Sequence, residues 1–185
     1  MRQAASEIEN TLQLGDSAPA FMLPGVDGHQ HVYGGEDENA KVVIFTCNHC
    51  PYALAWEDRL LAVASEYQHH GVRFLAINSN DAEQKPADSF ENMKARVAER
   101  PWPMPYLRDE SQEVAKAYGA LTTPDVFVFN ADDRLVYRGA PDADYEDESQ
   151  NAQWLRDALD AVIAGRAPQP AETESVGCSV KWKPA

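Results

Sequence analysis

Hydrophobic and polar positions along the chain follow two patterns, one typical of buried strands and one typical of amphipathic helices. The first segment, "KVVIFT", is short, β-branched and apolar almost throughout, as expected of a central strand covered on both faces, and the second, "VRFLAIN", predicts another buried strand. Between the first two, from Pro51 to His70, apolar residues recur at helical spacing, and Gly71 is a natural helix stop. The order strand, helix, strand favours a sheet with parallel central strands.

The remaining segments extend this pattern in both directions. Over residues 12–33, Gly and Pro residues interrupt short apolar segments. This pattern predicts extended chain with a hairpin that turns at "GVDGH". A helix is predicted in "PADSFENMKARVAER", with Pro86 near its start and Ser89 or Asp88 as its cap. A short helix is predicted in "ESQEVAKAYGA". "DVFVFN" and "RLVYRG" predict a second hairpin, and a last amphipathic helix covers about residues 152–164.

Length and composition fit one domain with appendages. The chain has 185 residues, of which 44% are hydrophobic, which is enough for one substantial core. We expect an N-terminal segment over residues 1–13, a domain over residues 14–166 and a polar C-terminal tail over residues 167–185. The acidic stretch "APDADYEDES" is predicted to be a solvated loop.

Charge and hydropathy indicate which classes of partner the protein binds and where in the cell it is located. The chain has 16 Lys and Arg against 30 Asp and Glu, and a net charge of −14 repels phosphate backbones and anionic lipid. We therefore expect neither nucleic acid nor membrane as a partner. The first residues lack the apolar stretch of a signal peptide and no run approaches a membrane span, so the expected location is cytoplasmic. No nucleotide- or flavin-binding motif is evident, so we expect no cofactor, and an external thiol reductant must supply electrons.

The main candidate for chemistry is the pair Cys47 and Cys50 in "FTCNHCPYA", directly after the first predicted central strand. An odd count of three cysteines in a cytoplasmic chain favours redox, catalytic or metal chemistry over a disulfide framework. A CxxC between a buried strand and a helix places both sulfurs near unpaired backbone amides and the positive end of the helix dipole, which favour thiolate. Thiolate attacks disulfides, and the spacing lets the second sulfur reach the first. His49, if protonated, would stabilise the thiolate further.

Two other interpretations of the CxxC stay open. Structural zinc usually takes four ligands, so a metal site would have to recruit Cys178 or a distant histidine, and we assign no metal ligand. The two cysteines would otherwise be ordinary buried thiols.

A second informative spot is "LTTPDVF", in which Thr123-Pro124 opens a predicted strand. A proline cannot donate into a central ladder, and an X-Pro bond adopts the cis form far more readily than any other. Taken alone, the dipeptide supports a cis bond and an ordinary trans turn equally.

These residues together resemble a known fold. A CxxC after the first strand of a β-α-β unit, followed by Thr-Pro before a closing β-β-α unit, resembles the thioredoxin fold. The entry "LGDSAPAFMLPGVDG" resembles that of the alkyl hydroperoxide reductase and thiol-specific antioxidant (AhpC/TSA, redoxin) branch, and "CNHCPYA", "YLRDESQEVAKAYGA" and "GCSVKWKP" resemble a group of soluble thioredoxin-like proteins. The resemblance implies an α/β, thioredoxin-like fold: a central mixed β-sheet flanked by helices, with an N-terminal hairpin extension and a C-terminal tail.

The resemblance also implies roles for particular residues. Cys47 corresponds to the attacking cysteine and Cys50 to the resolving one, while Thr123-Pro124 corresponds to a cis-proline loop that packs against the pair and offers its backbone to a substrate chain. The implied activity is that of a thiol–disulfide oxidoreductase with a protein or small-molecule disulfide or thiol as substrate. The sequence departs from thioredoxins, which have Gly-Pro where this chain has Asn48-His49.

Two alternative functions follow from the same residues. In a thiol peroxidase, Cys47 or Cys50 becomes a sulfenic acid that is resolved by its partner or by Cys178. Peroxiredoxins place Thr or Ser three residues before the reactive cysteine, whereas Ile44 stands there for Cys47. A metal-binding or redox-sensing module would use Cys47, Cys50 and Cys178 together. Cys178 is thus a candidate third redox thiol, a candidate soft-metal ligand or a free thiol in a packed tail.

Overall fold

The structure is a computed structural model that describes residues 12–34 and 37–185. Most of the predicted N-terminal segment, residues 1–13, lies outside the described residues. A hairpin comes first, with β1 at Phe21–Pro24 and β2 at Gln30–Tyr33, and its strands pair antiparallel around the turn predicted at "GVDGH".

The central sheet is mixed, as predicted. The next strands along the chain are β3 (Ala40–Phe45), β4 (Val72–Asn78), β5 (Tyr106–Arg108), β6 (Thr122–Thr123), β7 (Asp125–Asn130) and β8 (Leu135–Gly139). Five of them form the sheet in the order β5-β4-β3-β7-β8, in which β3, β4 and β5 are parallel. β7 runs antiparallel to both β3 and β8, so the predicted second hairpin is confirmed. The pattern missed β5, because its three residues follow a proline-interrupted run.

Over the residues that the structure describes, four α-helices connect or follow these strands: α1 (Pro51–Tyr67), α2 (Phe90–Glu99), α3 (Glu113–Tyr118) and α4 (Gln153–Ile163). α1 begins with Pro51, which costs little because first-turn N–H groups have no intrahelical acceptor. It ends through a short 3₁₀ turn at Gly71, whose φ of 72° lies in the left-handed region that glycine tolerates. Ser89 caps α2 by accepting from the backbone amide of Asn92. Ser89, and not Asp88, is therefore the cap.

The central sheet separates two apolar clusters. Alternate residues of β3 point to opposite faces, so Val42 and Ile44 pack with side chains of α1, α2 and α4. Val43 and Phe45 pack with α3 and the β1–β2 hairpin on the other face. β3 is buried at every position, which explains why it reads as a continuous apolar run.

The acidic stretch before α4 is not the fully solvated loop that its charge pattern predicts. Asp142 is 1% exposed and accepts hydrogen bonds from Trp56 Nε1 at 2.8 Å and from Arg59 at 3.0 Å and 3.1 Å. Arg59 also donates to the carbonyls of Asp144 and Asp147, so the loop is fastened to α1. The charge pattern could not predict this, because the partners lie more than 80 residues earlier in the chain.

The C-terminal tail returns to the domain and adds a last short strand, β9 (Cys178–Ser179). β9 pairs antiparallel with β6, so that Thr123 lies opposite Cys178 and Thr122 opposite Ser179. Within the described ranges, no helix has the length and apolar character that a membrane crossing requires.

Candidate active site

Cys47 and Cys50 lie where β3 gives way to α1. Cys47 follows the last residue of β3 by two positions, and Cys50 is the residue that caps the N-terminus of α1. Both side chains are buried, with exposed fractions of 2% for Cys47 and 0% for Cys50. The junction predicted from the sequence therefore brings the two thiols together under cover, next to the unpaired amides of a helix start.

Thr123 contacts both sulfur atoms. Its hydroxyl oxygen lies 3.3 Å from Cys47 Sγ, and its carbonyl oxygen lies 3.3 Å from Cys50 Sγ. The Thr123-Pro124 peptide bond is cis, which confirms the bond geometry that the resemblance implies. The loop before β7 thus packs directly on the cysteine pair.

The two thiols share a hydrogen bond and therefore ionise as a pair. The hydrogen bond from Cys47 lowers the pKa of Cys50, and burial opposes this effect. Cys178 and the backbone amide of Ala53 lower the pKa further, to about 4. The same hydrogen bond, together with burial, raises the pKa of Cys47. In such a pair the first proton leaves readily and the second is retained. The reduced site accordingly carries one negative charge shared by two sulfurs.

The contacts of Thr123 also suit a second form of the pair, in which the proton lies on Cys50 and the charge on Cys47. The Thr123 carbonyl can only accept, so it suits a protonated Cys50 that donates to it at 3.3 Å. The Thr123 hydroxyl and the His49 backbone amide both act to lower the pKa of Cys47. A proton shift from Cys47 to Cys50 thus leaves each sulfur with a suitable polar neighbour.

Asp88 is a site residue that the sequence pattern assigned only as a possible helix cap. It is fully buried and accepts from His49 Nδ1 at 2.5 Å and from the Asn48 backbone amide at 2.6 Å. The side-chain amides of Asn78 and Asn80 donate to the same carboxylate at 3.1 Å and 3.0 Å. Asp88 thereby fixes the His49 ring, and its negative charge contributes to the raised pKa of Cys47. No local signal reveals this role, because Asp88 lies 39 residues from His49.

One group of possible metal-ligand atoms occurs among the described residues. A sulfur of Cys47, a ring nitrogen of His49 and a carboxylate oxygen of Asp88 lie within 4.8 Å of one another. Three ligands fall short of the four that structural zinc takes, and four hydrogen bonds already engage the Asp88 carboxylate. This arrangement suits an orienting carboxylate–imidazole pair better than a metal centre.

Cys178 joins the site from the tail. It packs against the small cluster formed by Cys47, Cys50 and Ala53, and it is only partly exposed. Burial and the hydrogen bond to Cys50 raise the pKa of Cys178 to about 11. The structure therefore gathers all three cysteines of the chain around Thr123.

Comparisons with known proteins place this arrangement in a family. The model of the AhpC/TSA family matches residues 14–138. The crystal structure of an uncharacterized conserved protein from Geobacillus kaustophilus is 44% identical over 95% of both chains, with a TM-score of 0.90. A hypothetical protein from Sinorhizobium meliloti 1021 is 37% identical over 95% of this chain and 98% of its own, with a TM-score of 0.89.

A more distant structure shows the same fold. A putative thiol:disulfide interchange protein DsbE from Chlorobium tepidum aligns with 83% of this chain and 99% of its own at a TM-score of 0.64, although only 19% of the residues are identical. A search of curated proteins finds no match. The predicted thioredoxin-like fold, with its mixed sheet flanked by helices, is thus confirmed. The chain belongs to the AhpC/TSA family.

Proposed function

We propose that the protein is a thiol–disulfide oxidoreductase whose redox pair is Cys47 and Cys50. The observation that carries this proposal is the double contact of Thr123, which offers a donor to Cys47 and an acceptor to Cys50, each at 3.3 Å. A site of this kind stabilises one thiolate beside one thiol, which is the reactive form of a dithiol.

The proposed reaction proceeds through a mixed disulfide. The Cys47 thiolate attacks one sulfur of a substrate disulfide, forms a bond to it and releases the other half as a thiolate. Cys50 then loses its proton and attacks the Cys47 sulfur, which releases the second half of the substrate and leaves a Cys47–Cys50 disulfide. His49, held by Asp88 at 2.5 Å, is placed to stabilise negative charge at the pair when its ring is protonated. Run in reverse, the same steps oxidise a dithiol.

The surroundings of the pair support small substrates and an external reductant. Both sulfurs are almost completely covered, and the Thr123 backbone that would receive a substrate chain pairs with Cys178 of the protein's own tail. We propose Thr123 and Pro124 as the contact surface for a small disulfide or thiol, with electrons returned by a thiol reductant and no bound cofactor. The cytoplasmic location stays a prediction from the sequence.

The proposal is tested by turnover of a small disulfide with single-cysteine variants. Wild-type protein is expected to catalyse the reduction of hydroxyethyl disulfide by glutathione, and Cys47→Ser is expected to abolish this activity. Cys50→Ser is expected to accumulate a stable mixed disulfide on Cys47, identified by peptide mass spectrometry. A mixed disulfide that forms faster on Cys50 in Cys47→Ser than on Cys47 in Cys50→Ser would reverse the proposed roles. Full turnover by both variants would overturn the function itself.

A thiol peroxidase is the second candidate, favoured by the burial of both sulfurs, since hydrogen peroxide is much smaller than a disulfide. In this reaction a thiolate attacks one peroxide oxygen, the O–O bond breaks and the other oxygen leaves as hydroxide. The sulfenic acid so formed then condenses with a neighbouring thiol to a disulfide, with loss of water. Peroxide consumption in the presence of glutathione, at a rate above that of disulfide reduction, would favour this candidate.

A further inference from the structure

The three cysteines differ in their access to solvent. Cys47 and Cys50 are 2% and 0% exposed, whereas Cys178 is partly exposed. A reductant that approaches the site from solution therefore meets Cys178 before it meets the pair.

The backbone of the tail holds Cys178 at a defined position. Thr123, which contacts both sulfurs of the pair, lies opposite Cys178 in the β6–β9 ladder. Gly177 makes this close approach possible, because a Cβ at that position would lie 2.2 Å from the Thr123 carbonyl oxygen. Cys178 packs against the cluster formed by Cys47, Cys50 and Ala53, and its interaction with Cys50 contributes to its raised pKa. Cys50 thus interacts with both of the other thiols, Cys47 and Cys178.

The next residues fasten the tail on its far side. The backbone amide of Val180 donates to the Leu121 carbonyl at 3.0 Å, and that of Lys181 donates to Asn80 Oδ1 at 2.8 Å. The Lys181 carbonyl accepts from the backbone amide of Asp81 at 2.8 Å. Cys178 is therefore presented by a fixed strand and not by a loose chain end.

We propose that Cys178 is a third redox thiol, which exchanges with the Cys47–Cys50 disulfide at Cys50 and through which the buried pair is reduced from solution. The inference rests on the proposed function, because it begins with the disulfide which that reaction leaves. The Cys178 thiolate attacks the Cys50 sulfur, the Cys50–Cys178 bond forms and the Cys47–Cys50 bond breaks. Cys47 leaves as a thiolate and takes up the proton that Cys178 lost, so the exchange involves no net oxidation.

Reduction then takes place at the partly exposed sulfur. A small-molecule thiol attacks Cys178 and releases the Cys50 thiolate, and a second molecule of the thiol releases Cys178. The protein regains its three thiols, and the small thiol is converted to its disulfide.

The electrostatics of the site support an exchange that follows oxidation. In the reduced protein, burial and the contact with Cys50 raise the pKa of Cys178, while Lys181 and Lys85 act in the opposite direction. The Cys47–Cys50 disulfide carries no negative charge, so the charge that the reduced pair places beside Cys178 disappears and Cys178 ionises more readily. The departing Cys47 thiolate has the Thr123 hydroxyl as a donor.

The test uses full-length Cys47→Ser, which keeps only the two thiols of the proposed bond. The reduced variant is treated with oxidised glutathione, and its disulfides are mapped by peptide mass spectrometry under non-reducing conditions. We expect an intramolecular Cys50–Cys178 bond. The matched control is the double variant Cys178→Ser/Ser179→Cys, which has the same number of thiols but carries the tail thiol on the opposite face of β9. When this double variant is combined with Cys47→Ser, we expect no disulfide between Cys50 and the cysteine introduced by Ser179→Cys.

The outcomes separate the inference from the function on which it rests. The inference would be overturned if Cys47→Ser keeps a mixed disulfide with glutathione on Cys50 or Cys178. It would also be overturned if the control forms an intramolecular disulfide to Cys50 to the same extent. Cys178→Ser is expected to form the Cys47–Cys50 disulfide but to be reduced by glutathione more slowly than oxidised wild-type protein, and equal rates would also contradict the inference. Failure of both Cys178→Ser and wild type to form the Cys47–Cys50 disulfide would instead overturn the proposed function. If Cys47→Ser does not fold, as judged by circular dichroism, the wild-type map decides: a Cys50–Cys178 peptide is expected beside the Cys47–Cys50 peptide, and its absence contradicts the exchange.

Discussion

At the scale of single residues, Thr123 acts on the ionisation of Cys47. Thr123→Val keeps the β-branched shape but removes the hydroxyl that lies 3.3 Å from Cys47 Sγ. Because this hydroxyl lowers the pKa of Cys47, its loss moves the ionisation of Cys47 to higher pH. The expected shift is roughly one pH unit, since a hydrogen bond to a charged group is worth about 1.5 kcal/mol and one unit corresponds to about 1.4 kcal/mol.

The measurement is the pH dependence of iodoacetamide alkylation, followed at Cys47 by mass spectrometry. Thr122→Val is the matched control, because its hydroxyl donates to the Pro124 carbonyl and not to a cysteine. An unchanged midpoint in Thr123→Val would show that the hydroxyl does not stabilise the thiolate.

Asp88 acts on the same ionisation with the opposite sign. Its charge raises the pKa of Cys47, so Asp88→Asn is expected to move alkylation of Cys47 to lower pH.

The Asp88→Asn variant is also expected to be less stable by about 1–3 kcal/mol, because an amide placed among buried donors leaves at least one of them unsatisfied. Urea unfolding measures the second effect, with the exposed Glu91→Gln as control. A variant of wild-type stability would show that the Asp88 network relaxes around the amide.

At the scale of elements, α1 is fastened to the loop before α4 by a buried aspartate. Asp142→Ala removes the only carboxylate paired with Arg59 among the described residues and leaves Trp56 Nε1 without its acceptor, and breaking a buried ion pair from one side typically costs about 3–5 kcal/mol. We expect a loss of this size in the free energy of unfolding, measured with urea. Asp144→Ala removes an exposed carboxylate of the same loop and is expected to have little effect. Equal stability of the two variants would mean that the Asp142 carboxylate contributes nothing to holding α1.

The β6–β9 ladder depends on a glycine. In Gly177→Ala the new Cβ would lie 2.2 Å from the oxygen and 2.7 Å from the carbon of the Thr123 carbonyl, so β9 must move away from β6. We expect faster alkylation of Cys178 and a loss of about 1–3 kcal/mol in stability, the usual range for overpacking. Ser179→Ala, at an exposed position of β9, is the control. Unchanged reactivity of Cys178 in Gly177→Ala would show that the tail adapts without leaving the site.

At the scale of the whole molecule, stability should depend on pH through Asp125. This carboxyl is fully buried, and burial raises its pKa from 3.8 to about 6 although Arg138 acts in the opposite direction. The folded state therefore binds the proton more tightly than the unfolded state, so the stability that Asp125 contributes is complete below about pH 4 and is lost as the pH rises through about 6. Relative to Asp125→Asn, wild-type protein should lose roughly 3 kcal/mol of stability over this interval. Urea unfolding at a series of pH values measures the difference, and a difference that does not vary with pH would contradict the raised pKa.

The sequence predicted the parts of the molecule that depend on neighbouring residues. The apolar run of β3, the helical spacing of α1 and its stop at Gly71, and the β7–β8 hairpin all carry local signals, and together they locate the pair Cys47 and Cys50. Asp88, Asp142 and the strand β9 carry no such signal, because each acts on a partner 39 or more residues away. The surroundings of the cysteines were therefore found in the structure, although the cysteines themselves were found in the sequence.

The pairing of β9 with β6 makes the tail a built-in competitor for any polypeptide that seeks the Thr123 backbone. A strand tethered to the same molecule competes at an effective concentration of about a millimolar, which far exceeds the concentration of most free proteins. A polypeptide of equal affinity would therefore occupy the Thr123 edge only rarely, while a small disulfide that needs no strand pairing faces no such competition. Under the proposed function, polypeptide substrates would therefore be disfavoured by the concentration of the tethered tail as well as by the burial of the two sulfurs.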